Sequence, residues 1–178
     1  MFETGVTFVY HRVPGNLVGG ALYPLNHLAR VHPEAAELHR AKYAGREAVT
    51  QARIPPLECL WNDVLMFSPI HPALLLEALR DSGRIVPTQR WYEVDASLLE
   101  PERTTLFAGP LERTDTFSSD DYLDFTPENL QAHCTASERT LERLRQALPG
   151  ARVMMFADVP HVFYRGTLEV AKLRELEL

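Results

Sequence analysis

The sequence predicts an α+β fold, because strand-like and helix-like patterns occupy separate stretches rather than alternating regularly. Short apolar runs typical of strands lie near both ends of the chain and in its middle. Apolar residues at three- and four-residue steps, typical of helices, lie mainly in the first half. The chain has 178 residues, 46% of them hydrophobic, so we expect one domain over residues 1–178 with a substantial core.

Proline and glycine residues bound most of the predicted elements. The predicted helical segments are residues 26–53, residues 73–80 between Pro72 and Gly83, and residues 126–148 before Pro149-Gly150. Within the first segment, a new helix is expected to begin at Pro33 and end at Gly45. The predicted strands are residues 7–13, 64–67, 90–94, 104–107, 153–156 and 161–164, with a short edge at 168–170. Residues 112–124 are acidic with few apolar anchors, which predicts an exposed loop.

The charge distribution argues against nonspecific binding to nucleic acid. The net charge is −6, and residues 93–178 carry 16 acidic against 9 basic side chains. A broad basic surface for phosphate backbones is therefore not expected. Local recognition of one nucleotide or one loop remains open.

Cysteine usage and hydropathy predict a cytoplasmic protein without a membrane partner. Cys59 and Cys134 lie outside any CxxC motif, which favours buried thiols in a reducing compartment over a disulfide. The N-terminus lacks a basic region followed by an apolar segment, so we expect no signal peptide. No apolar run approaches the roughly 20 residues that span a bilayer.

Most of the seven histidines do not suggest a metal site. His27, His32 and His39 share one predicted helical region, spaced by five and seven residues, but a step of five residues does not stack side chains on one helix face. There is no HExxH pattern, and we expect no metal. His71 stands where a strand leads into a helix, so His71 or Ser68 either contacts an anionic ligand or caps the helix.

His11 and His161 differ from the others because each lies inside a strand-like apolar run. An imidazole in such a strand either satisfies a buried hydrogen bond or faces a ligand, where it acts as an acid or base near neutral pH. Strands at opposite ends of a small domain can neighbour each other in a sheet. We therefore expect the two rings to face one shared hollow, as a candidate catalytic pair.

Trp61-Asn62-Asp63 places an aromatic ring, an amide and a carboxylate just before a predicted buried strand. If buried, the amide and the carboxylate need hydrogen-bond partners, and fixing a turn is the favoured interpretation. Nucleotide kinases, Rossmann dehydrogenases and α/β-hydrolases are disfavoured, because no phosphate-binding glycine loop and no G-x-S-x-G elbow occurs.

Three short segments carry a family resemblance. They are Tyr10-His11-Arg12-Val13 followed by Asn16-Leu17 and a glycine-rich loop, Met66-Phe67-Ser68-Pro69 with the helix after it, and Pro160-His161-Val162-Phe163-Tyr164-Arg165-Gly166. Together they resemble the ADP-ribosyltransferase-like superfamily, in particular DarT-type toxins and RNA 2′-phosphotransferases. The chain as a whole also resembles small bacterial proteins. The resemblance implies split β-sheets flanked by helices and an adenine nucleotide, NAD, ADP-ribose or ADP, as the ligand.

The resemblance also implies roles for individual residues. His11 would hold the ribose and, with His161, would be catalytic, and the nucleotide-binding residues would be Tyr10, His11, Arg12, Phe67, Ser68, His71 and Arg165. His161 stands where many DarT-type enzymes carry a glutamate. The expected function is nucleotide binding with transfer of ADP-ribose or a related group to a nucleic-acid or other acceptor.

Two alternatives remain open. A catalytically inactive nucleotide-binding or protein-interaction domain of the same fold accounts for the missing glutamate. A metal-dependent hydrolase built on the histidines would need carboxylates at suitable spacing, which the sequence does not show.

Overall fold

A computed structural model describes residues 7–45, 47–109 and 118–178. Within these ranges the chain forms an α+β fold, as predicted, with eleven strands and five α-helices. The strands are β1 (Phe8–Arg12), β2 (Ala21–Leu22), β3 (Arg53–Ile54), β4 (Cys59–Leu60), β5 (Leu65–Phe67), β6 (Arg90–Asp95), β7 (Thr104–Phe107), β8 (Tyr122–Asp124), β9 (His161–Tyr164), β10 (Leu168–Glu169) and β11 (Arg174–Glu177). The helices are α1 (Leu25–Val31), α2 (Pro33–Arg40), α3 (Pro72–Asp81), α4 (Pro127–Ala132) and α5 (Glu138–Arg145).

Two antiparallel sheets organise the fold. One has three strands in the order β1-β6-β11, and the other has four in the order β5-β9-β7-β8. A single bridge joins the two sheets, in which Tyr10 and Ser68 exchange backbone hydrogen bonds of 2.8 and 2.9 Å. β2 with β10, and β3 with β4, form small two-stranded ladders.

The core follows from the alternation of side chains along these strands. One cluster contains Val9, Phe67 and Val162, from both sheets. A second contains Trp61, Phe107 and Phe163, whose rings pack 5.1 Å and 5.5 Å apart by centroid. A third cluster lies where α3 packs on α5.

The predicted helix over residues 126–148 is wrong in its continuity, because two helices occupy the segment. α4 ends where the ring Nδ1 of His133 hydrogen-bonds the carbonyl oxygen of Asn129 (2.8 Å). α5 begins after Ser137, whose hydroxyl accepts from the backbone N–H of Thr140 (3.1 Å). Side chains that compete for backbone groups thus interrupt an otherwise helical pattern.

The first helical segment, predicted over residues 26–53, also divides. Pro33 begins α2 as predicted, and residues after Arg40 form two short 3-10 helices, Ala41–Tyr43 and Glu47–Gln51. The helix after Pro72 is confirmed and closes at Gly83, which has a φ of 79°. A positive φ costs glycine least, so Gly83 suits this end.

The structure departs from the predicted strands and loops at three segments. Val153–Phe156 is irregular and packs in the α3–α5 cluster rather than in a sheet. Part of the predicted loop at 112–124 forms β8 on the edge of the four-stranded sheet, whereas residues 112–117 of that loop lie outside the described residues. β11, in a segment for which no strand was predicted, pairs with β6.

A buried leucine of the four-stranded sheet gives a direct test of the core. Leu106 is 0% exposed, whereas Leu148 is 73% exposed. We expect Leu106→Ala to lower the free energy of unfolding by about 2–5 kcal/mol, because it removes packed methyl groups and leaves a cavity. Leu148→Ala, the same chemical change on the surface, should stay within about 0.5 kcal/mol of wild type. Urea denaturation measures both, and equal effects would contradict the described core.

Candidate functional site

A cleft opens where β1 and β5 separate. Tyr10 of β1 pairs with Ser68, directly after β5, and the described residues show no other bridge between these two segments. Residues 11–14 and 64–66, on either side of the opening, line the cleft. Its volume is about 470 Å³, within the range typical of small-molecule sites. α1 and the loop after β1 close the opposite wall.

Two of the predicted site residues lie on this wall. His11 is half-buried, its Nδ1–H donates to the carbonyl oxygen of Arg12 (2.7 Å), and its ring meets the Phe67 ring edge-on at 5.5 Å. Arg12 is exposed at the rim. The cleft therefore carries an imidazole held in place by the backbone and a cation beside it.

Asp63 fixes the turn that precedes β5. One carboxylate oxygen accepts from the backbone N–H of Leu60 (2.9 Å), and the other accepts from the side-chain amide of Asn26 on α1 (2.8 Å). The turn-fixing interpretation of Trp61-Asn62-Asp63 is thus correct for Asp63. It ties the 3-10 turn Trp61–Asp63 to the helix across the cleft.

Asn62 does not share that role. It is 8% exposed and lies on the cleft wall, and its carboxamide oxygen is buried without a hydrogen-bond partner among the described residues. A buried acceptor left unpaired costs about 1–3 kcal/mol. Asn62 therefore lies at the cleft with an acceptor that no described residue satisfies.

The other residues expected at the first two motifs lie behind the cleft. Phe67 is 1% exposed in the core. The Ser68 hydroxyl is used within its own turn, donating to the carbonyl of Ile70 (2.9 Å) and accepting from its N–H (3.1 Å). His71 caps α3, because its Nδ1 accepts from the N–H of Ala73 (3.2 Å).

Tyr10 also lies away from the cleft wall. It is 8% exposed, and its ring meets the His71 ring at 4.7 Å. Burial raises the pKa of the Tyr10 hydroxyl to about 12, and the nearby Glu93 carboxylate adds to the shift. Tyr10 contributes to the region through its backbone, which forms the bridge to Ser68.

His161 is a core histidine. It is 7% exposed, its Nδ1–H donates to the carbonyl oxygen of Val159 (2.8 Å), and the rings of Phe156 and Phe163 surround it. Burial lowers the pKa of His161 from 6.5 to about 4, with the bond to Val159 partly opposing the shift. The ring is therefore neutral at pH 7.

The expectation that His11 and His161 share one hollow is wrong. His11 packs on Phe67, and Phe67 stands opposite Val162 in the ladder between β5 and β9. Opposed residues share a sheet face, and His161 precedes Val162, so its side chain points to the other face. A shared catalytic role for the two rings is therefore withdrawn.

Arg165 lies in a second hollow rather than in the cleft. Its guanidinium donates to the carbonyl oxygen of Leu57 (3.1 Å), and it lines a groove on the far side of α1. The structure therefore brings His11 and Arg12 together, adds Asn62, and places the remaining candidates elsewhere. The sequence feature that pointed to Asn62 was its position as a polar residue just before a predicted buried strand.

Further findings concern metal-binding groups, membrane-spanning helices and similarity to known proteins. Residues 7–45, 47–109 and 118–178 contain no cluster of three or more His, Cys, Asp or Glu side chains arranged to hold a metal ion. None of the described helices has both the length and the apolar character to cross a bilayer. Comparisons with protein-family models, curated proteins and solved structures gave no significant match.

The environment of His161 predicts a pH dependence. Because the pKa is lower in the folded chain than the ordinary 6.5, the unfolded chain binds more protons between pH 6.5 and pH 4. Stability is therefore fully present above pH 6.5 and falls with the pH, by up to about 3 kcal/mol at about 1.4 kcal/mol per pKa unit.

Urea denaturation of wild type, His161→Gln and His27→Gln across that range measures this effect. The free energy of unfolding should depend less on pH in His161→Gln than in wild type. In His27→Gln, a change at an exposed residue, it should keep the wild-type dependence on pH. Identical slopes for wild type and His161→Gln would show that the buried imidazole does not titrate as described.

Proposed function

We propose that the cleft between β1 and β5 binds an adenine nucleotide: NAD, ADP-ribose or ADP. The observation that carries the proposal is the buried, unpaired carboxamide oxygen of Asn62 on the cleft wall. The exocyclic amine of adenine supplies the N–H donor that this acceptor lacks. Pairing the two would offset the cost of burying the Asn62 oxygen.

The rest of the wall supports a base with a charged tail. Leu25 and Leu28 of α1 and the Trp61 ring form an apolar surface next to Asn62. Purine rings have two apolar faces and polar edges, so such a surface suits them. Arg12 at the rim supplies a positive charge for the phosphates. His11, beside Arg12 on the same wall, would bind the ribose.

The arrangement of the sheets supports an ADP-ribosyltransferase-like fold within this proposal. The resemblance implies two sheets split around the nucleotide, and here two antiparallel sheets meet at the single Tyr10–Ser68 bridge with the cleft beside it. The likeness rests on this arrangement and on the motif at Tyr10-His11-Arg12.

The cleft favours binding without turnover over transfer of ADP-ribose. Breaking the bond at C1 of the ribose develops positive charge, which a nearby carboxylate would stabilise. Among the described residues that line the cleft, none is Asp or Glu. The buried His161 lies on the opposite sheet face, so it does not replace the glutamate.

Discrimination at the base tests the proposal. We expect ADP at 100 times its dissociation constant to raise the free energy of unfolding by about 2.7 kcal/mol. Inosine diphosphate, which has a carbonyl where adenine has its amine, should bind about tenfold more weakly, since it offers no donor to Asn62. Isothermal titration calorimetry measures the affinities for ADP and for inosine diphosphate, and urea denaturation measures the change in the free energy of unfolding.

Asn62→Leu should remove this preference, because leucine has a similar volume and no acceptor. Gln131→Leu replaces an exposed amide on α4 with the same side chain and should keep it. Absence of binding by NAD, ADP-ribose and ADP alike would sink the proposal. An unchanged preference in Asn62→Leu would remove the role of Asn62.

Turnover separates binding from transfer. Purified protein incubated with NAD should release no more nicotinamide than a protein-free control, because none of the described residues that line the cleft carries a carboxylate to stabilise the oxocarbenium-like centre. Chromatography of the reaction mixture quantifies nicotinamide. Release that disappears in His11→Ala would instead show that the cleft cleaves NAD, the step that hydrolysis and ADP-ribosyl transfer share.

A further inference from the structure

A second hollow of about 540 Å³ lies on the other side of α1 from the cleft. Leu25 and Leu28 of α1 face the cleft, whereas His27 and Arg30 of the same helix face this hollow. We call it the arginine groove and define it by Arg30, Arg103 and Arg165, with Asp63 and Glu100 also on its walls. The groove is thus built from α1, the turn before β5, the segment before β7 and the end of β9.

The two carboxylates of the groove are already engaged. Asp63 accepts hydrogen bonds from Asn26 and from the backbone of Leu60, and Glu100 pairs with Arg103 at 3.3 Å. Arg30 and Arg165, by contrast, have no ion pair with any residue in the described ranges. Three guanidinium groups, of Arg30, Arg103 and Arg165, thus outnumber the two carboxylates of the groove, in a chain whose net charge is −6.

The groove is held in shape before any ligand arrives. Arg165 is anchored by its bond to the carbonyl of Leu57 (3.1 Å), and the Arg103 guanidinium lies 5.8 Å from the centre of the Tyr164 ring. Gly166, which also lines the groove, lies against the Tyr164 ring, where a Cβ would overlap the ring. Side chains ordered in advance lose less entropy when they bind an anion.

We propose that the arginine groove binds a phosphate group, separately from the nucleotide cleft. Planar guanidinium groups bind phosphate through paired N–H donors, and Arg30 and Arg165 supply them from two sides of the groove. The proposal goes beyond the cleft and does not depend on it. The phosphate belongs either to a free phosphate ester or to the phosphodiester of a single-stranded nucleic acid.

Two titrations test the groove. The first follows inorganic phosphate by phosphorus NMR line broadening, and the second follows a fluorescent ten-nucleotide oligothymidylate by anisotropy at several salt concentrations. Arg30→Ala and Arg165→Ala should each weaken phosphate binding about tenfold, as expected for charged hydrogen bonds. If a nucleic acid is the source, each variant should also reduce the salt dependence of log K by about 0.7.

The variants separate the groove from general effects. Arg30 is exposed on α1, so Arg30→Ala should keep the fold. It therefore still tests the groove if Arg165→Ala, which also loses the bond to the Leu57 carbonyl, fails to fold. Arg80→Ala removes an exposed charge on α3 and should leave both titrations unchanged. Binding of phosphate without oligonucleotide would assign the groove to a free ester.

Two results would overturn the proposal. The first is the absence of phosphate and oligonucleotide binding at millimolar concentration. The second is binding that survives in both Arg30→Ala and Arg165→Ala. Neither bears on Asn62, whose role is read from the preference for ADP over inosine diphosphate.

Discussion

The backbone pair between Tyr10 and Ser68 is the constraint on which the architecture depends. It makes one continuous hydrogen-bonded surface from two antiparallel sheets, and it does so at a single point. Because β1 and β5 exchange no further bridge, the residues beyond it, from His11 on one strand and before Phe67 on the other, form the cleft. The site is thus a consequence of incomplete strand pairing rather than of a loop placed on a finished sheet.

Asp63 and Asn62 are neighbouring polar residues with different environments. The Asp63 carboxylate has a partner on each oxygen and holds the turn against α1. With the turn fixed in this way, the adjacent amide is buried at the cleft with its oxygen unpaired. A stable protein tolerates such a cost most readily where a bound molecule can offset it.

The sequence predicted the α+β class and most strand positions, because short apolar runs identify β1, β7 and β9 locally. The family resemblance implied His11 and Arg12 at a ligand site; both residues line the cleft, and that the cleft binds a ligand remains a proposal. The sequence did not predict that His161 faces away, since a face is set by register between strands distant in the chain. The separation of α4 from α5 depends on a side-chain bond of His133, which periodicity does not reveal.

The most direct test of the central claim is a nitrogen–proton NMR titration with ADP. The structure predicts shifts concentrated at the end of β1, at the Trp61–Asp63 turn and at the side-chain amide of Asn62. Residues around His161 should change little, because they lie on the opposite face of the sheet. Shifts centred on His161, or none anywhere at saturating ADP, would contradict a nucleotide site between β1 and β5.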